Sequence, residues 1–293
     1  MALKRPDGID WLVYSLLIVV FVFVFLVAYA PPQDPQTLLS RIWLAAGWPL
    51  IIGTATAVVS AFAGTWGAQA LAERSAKRQR WTSEVRNVNL AIASAADLAN
   101  FFISAKKQHI FELAKNYFAS VGARNGPRRL GEPAPTWLDL NVLSKIQVGP
   151  LDRLRHIMME KISPSVNSTR LLNVLDQSVQ GLIEAVDQRN NWISGVATWP
   201  EDEHKNPRMG AKYFGEQYLN EGRDQRYCGY VAGIRDFTDD SIAFSILLCR
   251  SLEKYGQLLK EEFGGNSPDI ARVKFDRGVE YIPTLSDYSG WEM

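Results

Sequence analysis

Cysteine and histidine are scarce in this chain, with 2 Cys and 3 His among 293 residues. Two cysteines cannot make a disulfide framework or a Cys-rich zinc site. Cys228 and Cys249 read as reduced thiols packed like small hydrophobes. The chain also lacks G-x-x-x-x-G-K-[ST], G-x-G-x-x-G, G-x-S-x-G and H-E-x-x-H, which removes the phosphate-cradling loop, the nucleophile elbow and the zinc-protease helix. It reads as a non-enzyme with no cofactor. An excess of basic charge is missing too. The formal net charge is +1, whereas nucleic-acid binders carry concentrated positive charge, so no direct nucleic-acid contact is expected.

Charge of either sign is absent from two long stretches, residues 11–29 and 48–66. Each is apolar, about 19 residues long, and so able to span a ~30 Å hydrocarbon core. Trp11 and Tyr29 close the first, Trp48 and Trp66 the second, as expected of aromatic anchors at the headgroup level. Proton relays and ion-coupled sites need ionisable groups at membrane depth, which speaks against a transporter. Lys4 and Arg5 precede the first run, and a basic cluster of Arg74, Lys77, Arg78 and Arg80 follows the second. Positive charge stays on the cytoplasmic side, so both termini are expected there. A cleavable signal peptide is the rival, with Ala28-Tyr29-Ala30 as the cut. The apolar run is too long for an h-region, and Pro31 follows the cut.

The two runs differ in kind. The first is bulky, with Leu16, Leu17, Ile18 and Phe21 among its residues, and suits lipid on all sides. The second carries small residues at four-residue spacing. Gly53, Ala57 and Ala61 form one ridge, and Ser60 and Gly64 lie on another. Such ridges let helix backbones approach closely in lipid. Either the first span or a second copy of the chain can occupy that face. Pro49 is expected in the first helical turn, where proline costs little.

Proline is missing from residues 66–120, and glycine from residues 68–121. Trp81, Val85, Val88, Ile92, Ala95, Ala99 and Phe102 alternate steps of four and three, a heptad seam. The seam falters at Lys106 and resumes through Ile110, Leu113 and Tyr117. One long helix is expected, continuous with the second span. The basic cluster reads as a topology signal, with anionic lipid as its alternative ligand. Residues 122–135 are rich in Gly and Pro and read as a loop carrying Arg124, Arg128 and Arg129.

Further helices are expected over residues 137–147, 151–162, 168–195, 213–220 and 238–263. Asn167 or Ser168 caps the third and Thr238 the last. Residues 198–207 read as loop, and 273–282 as extended or irregular. Roughly 220 residues beyond the spans suffice for one core. The domains then read as a cytoplasmic N-terminus (1–10), first span (11–30), outer connector (31–47), second span (48–67), long cytoplasmic helix (68–121), loop (122–136), helical domain (137–265) and irregular tail (266–293).

Few residues offer chemistry. His109 beside Lys106-Lys107-Gln108 fits a hydrogen-bonded bundle histidine or a functional one. His204, within Glu201-Asp202-Glu203-His204, stands in a cluster able to attract a cation, although adjacent loop carboxylates are normally solvated. Cys228 has Arg226 nearby but no histidine beside it. Trp192 and Trp199 suit a core or an interface.

The residues Gly67-Ala68-Gln69, Glu73-Arg74, Arg86-Asn87, Asn89-Leu90-Ala91, Asn100 and Lys106-Lys107-Gln108-His109 resemble a family of bacterial membrane proteins with two spans and a helical cytoplasmic domain. Proteins of this build also occur as effectors of anti-phage retron systems, beside a reverse transcriptase. The resemblance ends at His109 and carries no catalytic signature. It implies an all-α fold, a two-span transmembrane hairpin whose second helix continues into a cytoplasmic bundle. It also implies an inner-membrane defence effector, with the lipid bilayer, further copies of itself and a cytoplasmic protein or nucleoprotein trigger as partners. A membrane-tethered scaffold or sensor is the alternative, and a membrane-anchored enzyme with an unrecognised site the third reading.

Overall fold

The fold is a computed structural model that describes residues 38–125, 138–200, 205–263 and 268–291. Every regular element among them is helical. Helix α1 runs Leu38–Ala105 and passes through a π-turn, Lys106–Ile110, into α2, Phe111–Asn125. Then come α3, Gly149–Glu160, α4, Val166–Ala197, α5, Lys205–Phe214, and α6, Arg226–Phe263. Two 3-10 turns, Val279–Tyr281 and Leu285–Trp291, complete the order. The first apolar run lies outside the described residues.

The chain divides into two units, one ending at Gln79 and the other beginning at Arg80. In the first, α1 is already helical at Leu38, the first described residue, inside the expected outer connector. Pro49 therefore stands within the helix rather than at its first turn. Its ring removes one backbone bond, a loss that membrane helices tolerate. Among the described residues, one helix is long and apolar enough to cross a membrane. Its large apolar side chains Val58, Phe62, Trp66 and Leu71 are exposed. Thr65 Oγ1 donates back to Ala61 O at 2.7 Å, which hides a hydroxyl that would otherwise face an apolar surrounding.

In the second unit the heptad seam is the core. Trp81, Val85, Val88, Ile92, Ala95, Ala99 and Phe102 are all 5% exposed or less. Helices α4 and α6 pack along one another and against this seam, with Leu171, Leu175, Val179 and Leu182 meeting Ile242, Ile246, Cys249 and Leu252 in one cluster. Close approach depends on a missing side chain. A Cβ on Gly181 of α4 would stand 2.8 Å from the Phe237 ring of α6.

Element ends depart from the sequence reading for local reasons. Ser165 caps α4 by accepting from Ser168 N at 3.2 Å, its own backbone extended as an N-cap requires. Residues 205–214 are helical (α5), so Lys205, Asn206 and Pro207, expected as loop, are helix, and residues 216–220, expected as helix, are not. Helix α6 begins at Arg226, twelve residues before the expected cap, as the two bounds show. Thr238 sits mid-helix instead, donating to Ile234 O at 2.6 Å.

Residues 138–148 form no helix. Asn190 clamps this segment from α4: its Oδ1 accepts from Leu143 N at 3.0 Å and its Nδ2 donates to Leu143 O at 2.8 Å. Asn89 of α1 holds the C-terminal segment the same way, donating to Asp269 O and accepting from Ala271 N, both at 2.9 Å. The described part of the C-terminal segment, residues 268–291, is bound along the core. Tyr288 donates to Asp240 Oδ1 at 2.7 Å, Arg170 lies 4.1 Å over Trp291, and a Cβ on Gly278 would meet Ile103 at 2.7 Å.

Candidate functional site

The heptad rule would bring residue 109 inward, seven after Phe102. An i→i+5 turn carries an extra residue relative to the α-helix. The π-turn at Lys106–Ile110 therefore makes Ile110 the inward residue, at 4% exposure, and leaves His109 on the exposed surface. The seam then continues through Leu113 and Tyr117. His109 is thus not a buried bundle histidine; it lies outside because the register shifts beneath it. π-turns recur at functional sites.

Lys106 falls four residues after Phe102, on the seam itself. Its ammonium lies 2.5 Å from Asp239 Oδ1 on α6. The approach is off the angle of a directed hydrogen bond, so that buried oxygen is neutralised without an aligned donor. Lys106 and Asp239 line a cleft of about 290 Å³ whose walls include Ile110, Phe111, Ala114 and Phe118. Lys115 and Arg235 complete its lining. Asp240, next to Asp239, is partly buried, and desolvation raises its carboxyl above the ordinary aspartate value.

Gln108 is exposed, so its deletion tests whether the fold requires the π-turn. The seven-residue spacing from Phe102 to Ile110 would then be unbroken. The deletion variant should melt within about 5 °C of the parent by circular dichroism. A fall beyond about 15 °C would make the π-turn a requirement of the core.

A second cluster lies around Arg189 of α4, which is wholly buried. Its Nε donates to Tyr227 Oη at 3.1 Å, Nη1 to Asn141 O at 2.8 Å and Nη2 to Asp139 O at 3.2 Å. Tyr227 Oη in turn donates to Asp139 O at 3.1 Å. Tyr117, Tyr213 and Trp192 surround it, with the Tyr213 and Tyr227 rings 4.3 Å apart and Trp192 4.6 Å from Tyr227. Cys228 is half-buried against this aromatic cluster. The arrangement binds the irregular 138–148 segment to the bundle.

The remaining expected residues are dispersed. Gly53, Ala57, Ser60, Ala61 and Gly64 are exposed. A Cβ on Gly53 or Gly64 meets nothing within 4 Å among the described residues. Arg74, Lys77, Arg78 and Arg80 are exposed just before the buried seam begins at Trp81. Arg124 is held by Glu216, Nε to Oε1 at 2.7 Å, and lies over Phe214 at 4.4 Å. Trp199 supports Arg208 and Lys212 at 4.9 and 5.3 Å. Hydrogen bonding to Lys212, then to Arg208, lowers the Glu221 carboxyl below its ordinary range. Burial pushes the Cys249 thiol up, which makes it inert. Glu201, Asp202, Glu203, His204, Arg128 and Arg129 lie outside the described residues. Among those described, no three His, Cys, Asp or Glu side chains are grouped to hold a metal ion.

Sequence reasoning missed Arg189 and the cleft around Lys106. Both had a signal: Arg189 stands three residues after Val186 and four before Ile193, on an apolar stripe, and Lys106 stands on the seam. A charge at a core position is a question about its partner. Comparison of the chain with family models, curated proteins and solved structures finds no match.

Proposed function

We propose that this chain is a two-span inner-membrane effector of a bacterial defence system, triggered through its helical domain and acting by perturbing the bilayer. The observation that carries this reading is that helix α1 contains both the exposed small-residue face and the buried seam. A change in how α1 packs in the core is therefore covalently tied to the face carrying Gly53, Ala57, Ser60, Ala61 and Gly64. In lipid, that face gains its energy from close backbone packing rather than from hydrophobic burial. Self-association of the second span is the rearrangement that perturbs the membrane. Both termini lie in the cytoplasm, and Arg74, Lys77, Arg78 and Arg80 hold that orientation. The resemblance to retron effectors supplies the defence context, and no catalytic step is assigned.

Leucine at Gly53 or Gly64 would block the close approach without lowering apolarity. In a bacterial host overproducing the chain, the parent should dissipate the membrane potential and arrest growth. Gly53→Leu and Gly64→Leu should each reduce that effect at least tenfold while remaining in the membrane fraction. A parent chain that leaves the potential intact, or leucine variants equal to the parent, would contradict the proposal.

A further inference from the structure

The cleft beside the π-turn holds cations whose hydrogen-bonding capacity is largely unspent. Arg235 donates through Nε to Asp236 Oδ1 at 2.8 Å, and its Nη atoms meet no acceptor among the described residues. Its guanidinium lies over Phe118, 4.7 Å from the ring centroid. Lys115 stands 3.7 Å from Glu112, beyond hydrogen-bond reach, and 5.7 Å from the centre of Phe111. Glu112 and Asp236 are more than half exposed, so water screens their charges. Of the groups that line the cleft, three are cationic and one, Asp239, is anionic.

The apolar floor has a matching pattern. Phe111, Ala114, Lys115 and Phe118 fall at i, i+3, i+4 and i+7 on α2, one face of the helix. The two phenyl rings are thus anchored about 10 Å apart along its axis. A volume of about 290 Å³ lies at the small end of ligand pockets. Apolar walls, nearby ring faces and donors at the mouth together define an amphiphilic ligand.

We infer that this cleft binds a small planar organic anion, of the class of a fused-ring aromatic carboxylate. The ring lies on Phe111, Ala114 and Phe118. The carboxylate accepts from the Arg235 Nη atoms and the Lys115 ammonium, charge-assisted bonds that favour this planar group. The negative charge also draws on Lys106, whose ammonium belongs to the π-turn and is shared with Asp239. On the effector reading, on which this last step rests, such an anion is the class of trigger that would reach α1.

The test titrates the full chain, in a neutral maltoside detergent, with 2-naphthoate and follows fluorescence anisotropy. One saturable site per chain is expected, with Kd between about 10 μM and 1 mM. Arg235→Gln and Lys115→Gln should each weaken it about tenfold, and Arg155→Gln, on α3, should not. Lys115 is 62% exposed, so that variant keeps the fold, as its melting curve would verify. Absence of a saturable phase, or equal signals from the parent and both cleft variants, would overturn the inference. The readout does not depend on membrane damage. Failure of binding leaves the leucine-variant result standing, and failure of the leucine variants leaves the binding result standing.

Discussion

Arg189→Met should lower the thermal midpoint of the second unit by about 10 °C. Methionine fills much of the arginine's volume but donates nothing. Asn141 O and Asp139 O would each lose a donor, as would Tyr227 Oη. An unsatisfied buried acceptor costs about 1–3 kcal/mol, and partial rehydration of the 138–148 segment recovers some of that. A net loss of about 3 kcal/mol corresponds to about 10 °C for a domain of this size. Arg189→Lys should recover less than half, because one ammonium cannot reach three acceptors spread over a planar fork. Differential scanning calorimetry or circular dichroism measures the shift. A change below about 2 °C would mean that the guanidinium does not hold the segment. The aromatic residues around Arg189 would report the same event, since Trp192 fluorescence should shift to the red as water enters.

Alkali should unfold the same region steeply. Tyr117, Tyr213 and Tyr227 are 2% exposed or less, and burial raises all three hydroxyls above the ordinary tyrosine value. An unfolded tyrosine loses its proton near pH 10. Below that pH, folded and unfolded chains hold the same protons and the contribution to stability is complete. Above it, the unfolded chain binds fewer protons than the folded one, so stability falls as pH rises. Three tyrosines give a slope of about 4 kcal/mol per pH unit. Against a typical total of about 5–15 kcal/mol, the domain should collapse within a few units above pH 10. Absorbance at 295 nm should then show two phases, exposed tyrosines first, and these three with Tyr255 and Tyr288, which burial also raises, only on unfolding. All 10 tyrosines ionising together near pH 10, with the circular dichroism unchanged, would contradict this.

Periodicity made the core legible. The seam from Trp81 to Phe102 was readable because apolar side chains one face apart on a helix must share a burial environment, and each of those residues is buried. The break at Lys106 was equally visible, but a sequence pattern cannot distinguish a gap in the seam from a π-turn. That distinction rests on backbone hydrogen bonds. Residues 138–148, expected to be part of a short helix, are irregular. What decides otherwise is a pair of side chains on another helix, Arg189 and Asn190, about fifty residues away in sequence. Asn89 and the tail segment from Asp269 show the same limitation over a separation of 180 residues. Thr238 failed as a cap because the sequence before it is also helical, so its hydroxyl had an internal carbonyl to bond. The cleft was illegible for the same reason as the clamps, since α2 supplies its rings while α6 supplies Arg235 and Asp239.

On the effector reading proposed above, transmission between the helical domain and the membrane would depend on the rotational phase of α1. Residues 71–80 are exposed throughout, so additions after Ala76 disturb little packing. Two inserted alanines rotate the apolar segment by about 200° relative to the seam, whereas seven return it to within about 20°. Both insertions keep the helix, because alanine is its best former. The decisive measurement is membrane depolarisation by these two chains at equal abundance in the membrane fraction. Seven alanines should leave it close to the parent's and two should abolish it; equal depolarisation by both would mean that α1 tethers the helical domain without transmitting anything through its phase.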